Sequence, residues 1–319
     1  RCARLGGGAL QERLQARYPG GAAMRSIVLL LSGIFFANVA IAQQRTDGDL
    51  TSTPVRGSVH VLVMATAGNV GVSVGKDGAF IIDDQFAPMA PKISAAVAKL
   101  TEKPVRYILN THWHGDHAGG NAVFGGQGIV IVAHDNVRTR MSAEHFNAFF
   151  KSTTPPSPRE ALPVITFNDR MTFHFNDDTI RVIHIPRAHT DGDAMFYFEK
   201  ADVLHAGDVF VLYGYPFIDL SSGGRVAGMI AGLDQILALI GPETLVIPGQ
   251  GPVAKRERVQ AFRDMLATSR ARVLKLIGEG RTLEQVIAAK PLTDFDLEWG
   301  KSFVKVDQFV TTLFNSEKQ

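Results

Sequence analysis

The sequence predicts a mixed α/β (α+β) fold in which two strand-rich blocks are each followed by helices, which indicates a pseudo-duplicated sandwich. The first observation is a series of short runs with alternating apolar residues that begins at Val59. The second is a later set of strand-like runs within residues 171–206. The third is the dominance of helical periodicity after residue 226. With 319 residues, 45% of them hydrophobic, the chain can bury a large core.

The first block is interpreted as an antiparallel meander that leads into a His-rich run. Glycines and charged turns such as Lys76-Asp77-Gly78 separate its strands. The predicted order is strands over 59–66, 69–75 and 78–84, a helix over 88–100, strands over 105–110 and 129–133, and a helix over 135–150. A proline-rich loop over residues 152–163 follows and is a candidate lid or rim.

The second block repeats this organisation. Its predicted strands are 171–175, 179–185, 194–198, 203–206 and Leu245–Ile247, and its predicted helices are 226–240, 255–277 and 283–289. No internal repeat is long enough to indicate a solenoid.

Residues 1–42 are set aside as an upstream segment plus a cleavable signal peptide over 24–42. Met24 and Arg25 precede an apolar run, which ends in the small-x-small pattern Ala40-Ile41-Ala42. The apolar run is about 15 residues long, whereas a bilayer span needs about 20. The sequence therefore predicts a mature domain over 43–319 that is periplasmic or secreted and has no stable membrane anchor after cleavage.

The charge balance excludes several classes of partner. The whole chain has 33 basic and 31 acidic residues, and removal of residues 1–42 takes away five Arg and one Glu, leaving 28 basic and 30 acidic residues. A near-neutral surface without Lys/Arg clusters offers no electrostatic footprint for nucleic acid or anionic lipid. The expected partner is a small-molecule substrate, and the sequence leaves the oligomeric state open.

Four candidate metal ligands fall in the run THWHGDHAGG, where the chain leaves a predicted strand. They are His112, His114, Asp116 and His117. Alternate residues at a strand end point to the same side, so His112 and His114 can meet one ion. Cys2, the only cysteine, lies in the predicted leader, so His and carboxylate must supply the ligands, and this set suits zinc.

Two later segments complete a pattern that is known from a protein family. His189 lies in RAHTDGD and Asp208 in HAGDVF, each at the end of a predicted strand. The order of HxHxDH, an isolated His about 70 residues on, and Gly-Asp after a strand resembles the metallo-β-lactamase superfamily. The resemblance runs over residues 59–253 and implies a four-layer αβ/βα sandwich with the metals at one end of its two sheets.

The resemblance also implies roles for these residues. His112, His114 and His189 resemble the ligands of a first metal, whereas Asp116 and His117 resemble ligands of a second. Asp208 resembles the carboxylate that bridges both ions. Family members commonly carry a further His in a Pro-Gly-His-Gly-Pro turn, where this chain has Gln250 between Gly249 and Gly251. The prediction is one or two Zn²⁺ per chain, with Gln250 as a weak ligand of the second.

Other residues are candidates for supporting roles. Asp84 either accepts a proton from a ligand imidazole or simply ends its strand. Tyr213 and Tyr215 either line a substrate pocket or pack within their loop. His205 is interpreted as a satisfied buried histidine, and Trp113 is expected to pack away from the metal.

The predicted function is zinc-dependent hydrolysis of an ester, thioester, lactone or lactam carbonyl. Zinc lowers the pKa of a bound water towards ~7 and polarises the carbonyl under attack, while Asp116 accepts a proton or orients the water. β-Lactamase activity stays open, although β-lactamases of this superfamily typically have Cys or Ser where Asp208 stands. A non-catalytic metal-binding protein, which Gln250 suggests, is the second alternative.

Overall fold

A computed structural model describes residues 50–64 and 67–318 of the chain. The predicted upstream segment and signal peptide lie outside these residues. Within the described ranges, no helix is both long and apolar enough to cross a membrane.

A seven-stranded sheet occupies the first half of the chain, in the order β1-β2-β3-β4-β5-β6-β9. Its strands are β1 (Thr51–Arg56), β2 (Val59–Val63), β3 (Val70–Gly75), β4 (Gly78–Ile82), β5 (Val105–Leu109), β6 (Val130–His134) and β9 (Ile165–Phe167). Strands β2, β3 and β4 form the predicted antiparallel meander, and β1 pairs antiparallel with β2 at its edge. Strands β4, β5, β6 and β9 are parallel.

A five-stranded sheet follows, in chain order. It consists of β10 (Arg170–Phe175), β11 (Asp178–Ile185), β12 (Asp193–Phe198), β13 (Val203–His205) and β14 (Leu245–Ile247). Neighbouring strands are antiparallel except for β13 and β14. A separate hairpin pairs β7 (His145–Asn147) with β8 (Ser152–Thr154).

The described residues also form nine α-helices. They are α1 (Ala90–Leu100), α2 (Gly115–Ala118), α3 (Asn121–Gly126), α4 (Asp135–Met141), α5 (Val226–Leu239), α6 (Arg256–Gly278), α7 (Leu283–Ala288), α8 (Asp296–Trp299) and α9 (Val306–Ser316). Single turns of 3₁₀-helix at Gly207–Val209 and Leu220–Ser222 follow β13 and precede α5.

Three apolar clusters define the layers. The central cluster joins the facing sides of the two sheets, with Phe80 of β4 and Phe196 of β12 among its members. A second cluster packs α1 on the outer side of the seven-stranded sheet, and a third packs α5, α6 and α9 on the outer side of the five-stranded sheet. Two sheets face each other with helices outside, so the predicted four-layer αβ/βα sandwich is confirmed.

The helix predicted over residues 135–150 is wrong in its second half. Helix α4 ends at Met141, and the following residues form the β7–β8 hairpin. The Asn147 side chain accepts hydrogen bonds from the backbone N–H groups of Phe149 and Phe150, which is an Asn-capped turn that competes with helix. Strands β1 and β9 and helices α2, α3, α8 and α9 are not predicted from the sequence.

The topology gathers several loops at one edge of the sandwich. Strands β4 and β5 are parallel, as are β13 and β14, so the carboxyl ends of each pair meet at one edge. Strand β11 runs in the same direction as β13, because β12 is antiparallel to both. The residues that can form a common site are therefore those that follow β4, β5, β11, β13 and β14.

Candidate metal centre

The first ligand group consists of three imidazoles. One nitrogen each from His112, His114 and His189 lies within 4.8 Å of the others. His114 Nδ1 and His189 Nε2 are 2.9 Å apart, so both can lie about 2.0–2.1 Å from one zinc ion. The structure thus brings together the three histidines that the sequence assigned to one metal.

Protein oxygen atoms hold the opposite nitrogens of these rings. His114 Nε2 donates to Asp219 Oδ2 at 2.9 Å, and His189 Nδ1 donates to the Phe217 carbonyl at 2.8 Å. His112 Nδ1 lies 3.0 Å from Thr111 Oγ1, whose hydroxyl donates to Asp83. These contacts fix the tautomers and direct the free nitrogen of each ring to the common point.

The second ligand group contains His117 and Asp208. His117 Nε2 lies 3.2 Å from Asp208 Oδ1 and 3.6 Å from Asp116 Oδ2. The other Asp208 oxygen is 3.8 Å from His189 Nε2. Asp208 therefore lies between the two groups, in the position expected of a bridging carboxylate.

The carboxylate that orients His117 is Asp83, and the prediction for Asp84 is wrong. His117 Nδ1 donates to Asp83 Oδ2 at 2.7 Å, whereas Asp84 Oδ1 accepts from the backbone N–H of Gly120. Asp83 has φ of 62°, so the backbone leaves the extended conformation directly after β4, and strand alternation cannot show which of the two carboxylates faces His117.

Gln250 faces the second group from the turn after β14. Its Nε2 lies 3.1 Å from Asp116 Oδ2 and 3.3 Å from Asp208 Oδ2. The Asn69 side chain donates to the carbonyls of Pro248 and Gly251, so residues on both sides of Gln250 are held by the opposite sheet. The amide occupies the place that the resemblance gives to a metal-binding imidazole.

The buried atoms and their charges fit a divalent cation. Among the described residues, His112 Nε2, His117 Nε2 and Asp208 Oδ1 are buried and have no hydrogen-bond partner. Unpaired buried polar atoms are costly, and an ion between them removes that cost. The donor set of imidazole and carboxylate is one that zinc prefers.

The electrostatics of the rings agree with this fit. Burial lowers the pKa of His189 to about 4, and burial together with the neighbouring histidines lowers that of His112 well below its usual value. Both rings are thus neutral at pH 7, as metal binding requires. Burial opposes ionisation of Asp208, but His117 and the other site histidines lower its pKa to about 2, so this carboxylate is charged.

The two tyrosines have different environments. Tyr213 is half-buried, and its hydroxyl accepts from the backbone N–H of Phe217 at 3.0 Å. Burial raises the pKa of Tyr213, and Asp208 raises it further, so the hydroxyl keeps its proton near the metal ligands. Tyr215 is fully buried, donates to Asp296 and stacks on Phe309. The pocket role predicted for Tyr215 is therefore wrong, because its ring is part of the helical core.

Two neighbouring residues have supporting roles. Trp113 packs into a side cluster, and its indole N–H donates to Ser222 Oγ, as expected for a ring that points away from the ligands. His205 is buried, as expected, but its Nε2 has no hydrogen-bond partner in the described part of the chain, so it is not a fully satisfied side chain.

The family follows from a comparison of the whole sequence. The family model described as "Metallo-beta-lactamase superfamily" matches residues 64–263. The chain belongs to this superfamily. The match contains every residue of the two ligand groups and the Gln250 turn.

Individual relatives are distant. The Lactamase-like protein aptB of Emericella nidulans is 25% identical over 230 residues, which are 68% of this chain and 66% of that protein. The Atrochrysone carboxyl ACP thioesterase of Aspergillus terreus is 25% identical over 149 residues, or 47% of this chain and 40% of that protein. The chain thus spans less than two thirds of the length of these relatives.

A solved structure supports the fold. The metallo-beta-lactamase from Pontibacter korlensis superposes with a TM-score of 0.56 and 17% identity, over 69% of this chain and 99% of that protein. At this identity the likeness applies to the architecture alone.

Proposed function

We propose that this protein is a zinc-dependent hydrolase that cleaves carbonyl esters, with acyl thioesters as its first substrate class. The observation that carries the proposal is the pair of ligand groups, with Asp208 3.2 Å from His117 and 3.8 Å from His189. When bound there, zinc lowers the pKa of water and polarises a carbonyl. A Ser or Cys nucleophile is not needed for such a reaction.

Asp116 and Tyr213 are the side chains that can exchange a proton or donate a hydrogen bond during the reaction. The Asp116 side chain is 27% exposed, whereas those of His117 and Asp208 are almost fully buried. Asp116 is thus the carboxylate that can exchange a proton with an entering water or a departing leaving group. The Tyr213 hydroxyl, with its oxygen held by the Phe217 N–H, can donate a hydrogen bond to a substrate beside the metal ligands.

The choice of thioesters rests on two arguments. The resemblance associates an aspartate at position 208 with hydrolases of thioesters, lactones and other esters, whereas β-lactamases typically have Cys or Ser there. One relative is named as an acyl carrier protein thioesterase. Lactones and β-lactams remain comparison substrates for the test.

The proposed location rests on the predicted signal peptide, and the proposed partner rests on the near-neutral charge balance. We propose export through the segment over 24–42, cleavage near residue 43, and action on a small-molecule substrate in the periplasm or outside the cell. The mass of the exported protein tests this proposal. An intact leader on the exported chain would contradict it.

The test of the function combines metal analysis with a substrate panel. Protein freed of metal and reloaded with zinc is assayed on an acyl thioester, an aryl ester, a lactone and a β-lactam. We expect thioester hydrolysis that disappears with the metal and returns with zinc. His174→Ala, which removes an exposed histidine on β10, is the control that should retain activity. Full activity in metal-free protein would overturn the mechanism, and zinc binding without hydrolysis of any substrate would favour a non-catalytic metal-binding protein.

A further inference from the structure

Five aromatic side chains from three separate segments form a continuous surface, which we call the aromatic wall. It consists of Phe149 and Phe150 at the tip of the β7–β8 hairpin, Tyr213 and Phe217 in the loop after Asp208, and Phe303 before α9. The Phe217 ring is 5.0 Å from the rings of both Phe149 and Phe150. Phe303 extends the surface, at 6.4 Å from Phe150 and 5.3 Å from Tyr213.

The wall is only partly covered by the protein. Phe150 is 53% exposed and Phe303 is 50% exposed. A pair of large aromatic rings that face solvent side by side is unfavourable unless another apolar group covers them, so such a patch indicates a binding surface.

The inner end of the wall touches the metal centre. The Phe217 ring lies 5.8 Å from the His114 ring and 5.7 Å from the His189 ring. The Phe217 carbonyl is also the acceptor that holds His189 Nδ1. An apolar group that lies along the wall therefore has its inner end beside the first ligand group.

Hydrogen bonds through Asn147 connect the outer end of the wall to one of the same ligands. Asn147 Nδ2 donates to Asp219 Oδ2 at 3.2 Å, and this oxygen is the one that accepts from His114. Asn147 Oδ1 accepts from the backbone N–H groups of Phe149 and Phe150, at 3.0 and 3.1 Å. One side chain thus connects the tip of the hairpin to the carboxylate that orients a metal ligand.

From these contacts we infer that the aromatic wall binds the acyl group of the substrate and selects thioesters with an extended apolar acyl chain or ring. The inference rests on the proposed function. The common biological thiol leaving groups are polar carriers, so the apolar part of a thioester is its acyl side, and only this side complements the wall. Asn147 is a positioning residue, because it acts through the hairpin and Asp219.

The test is a series of acyl thioesters that share one thiol, N-acetylcysteamine, and carry acetyl, hexanoyl or decanoyl groups. For the zinc-loaded protein we expect kcat/KM to rise by about tenfold or more from acetyl to decanoyl, since each methylene that leaves water favours binding. Phe150→Ala with Phe303→Ala should remove most of this rise through KM. Phe146→Ala is the matched control, because Phe146 lies on the same hairpin, is 57% exposed and makes no ring contact with the wall in the described part of the chain.

A binding measurement keeps this inference separate from the proposed function. Calorimetry compares decanoate with acetate on the zinc-loaded protein and on the two variants. Thioester hydrolysis with no preference for longer acyl chains would contradict the inference that the aromatic wall binds the acyl group. It would leave the proposed hydrolase activity standing. Tighter decanoate binding that depends on Phe150 and Phe303, without hydrolysis of any thioester, would support the wall and contradict the hydrolase. Sedimentation in the same buffers identifies the remaining case: a dimer that dissociates in the double variant, with no change in selectivity, would assign the wall to self-association.

Discussion

The two ligand groups differ in the way the protein prepares them for a metal. In the first group, three imidazoles each have their second nitrogen held by a hydroxyl, a carboxylate or a carbonyl oxygen. In the second group, His117 lies beside carboxylates and the Gln250 amide. Burial lowers the pKa of His117, but Asp208, Asp116 and Asp83 together raise it above its usual value. Neutral imidazole suits zinc better than an amide does. The first group should therefore bind zinc more tightly than the second.

The largest effect is expected from His189→Ala. This change removes a ligand of the tighter group, so we expect activity to fall by more than the 10–100-fold that outer contacts typically contribute. Zinc analysis after gel filtration should show the loss of the tightly bound ion, while circular dichroism remains that of a folded protein, since the ligand lies at a strand end. A variant with unchanged zinc content and rate would remove His189 from the site.

A smaller effect is expected from Asp83→Asn. Asp83 Oδ2 accepts from His117 Nδ1 and the Thr111 hydroxyl, and Oδ1 accepts from the Thr111 backbone N–H, so either orientation of an asparagine amide turns its NH2 group against a donor. Loss of such an outer contact should weaken zinc binding about 10–100-fold. Asp84→Asn is the matched control, because an asparagine oxygen can still accept from Gly120. Equal losses in the two variants would mean that the changes act through folding and not through the ligands.

These two neighbouring aspartates also show where sequence reasoning stops. Alternation along β4 gave no way to choose between Asp83 and Asp84, because the left-handed backbone at Asp83 is set by tertiary packing. Asp219 orients His114 from a loop with no recognisable motif. In contrast, the HxHxDH run together with the family resemblance singled out the ligands that the structure brings together, each of which follows the end of a strand.

The same limit applies to longer segments. Residues 135–150 have helical periodicity throughout, but pairing of His145 with Thr154 and the Asn147 turn convert the second half into a hairpin. Tyr215 follows Tyr213 by two residues and looks equivalent in sequence. Contacts with distant residues make it a core residue: its ring stacks on Phe309, which is 94 positions further on, and its hydroxyl donates to Asp296.

Gln250→His tests whether residue 250 occupies a ligand position in the second group. Asn69 holds the turn on both sides of residue 250, so the imidazole should face Asp116 and Asp208. We expect the second zinc to bind about tenfold more tightly, since imidazole is the better ligand, with little change at the first site. Gln127→His, at an exposed position, is the control for an added histidine. An unchanged second affinity in Gln250→His would exclude a ligand position for residue 250.

The smallest effect is expected from Asn147→Ala, which removes the link between the hairpin and Asp219. Loss of these hydrogen bonds should lower the free energy of unfolding by about 1 kcal/mol. KM for the decanoyl thioester should rise more than KM for the acetyl thioester, because the tip of the hairpin is no longer held. A stability loss with equal changes in both KM values would limit Asn147 to a structural role.

We propose that two zinc sites of unequal affinity share Asp208. The most direct test of this proposal is a competitive zinc titration of metal-free protein against a chelator. We expect two binding steps, of which the tighter disappears in His189→Ala and the weaker disappears in Asp116→Ala. A tight step that survives in His189→Ala, or two steps that both survive in Asp116→Ala, would contradict it.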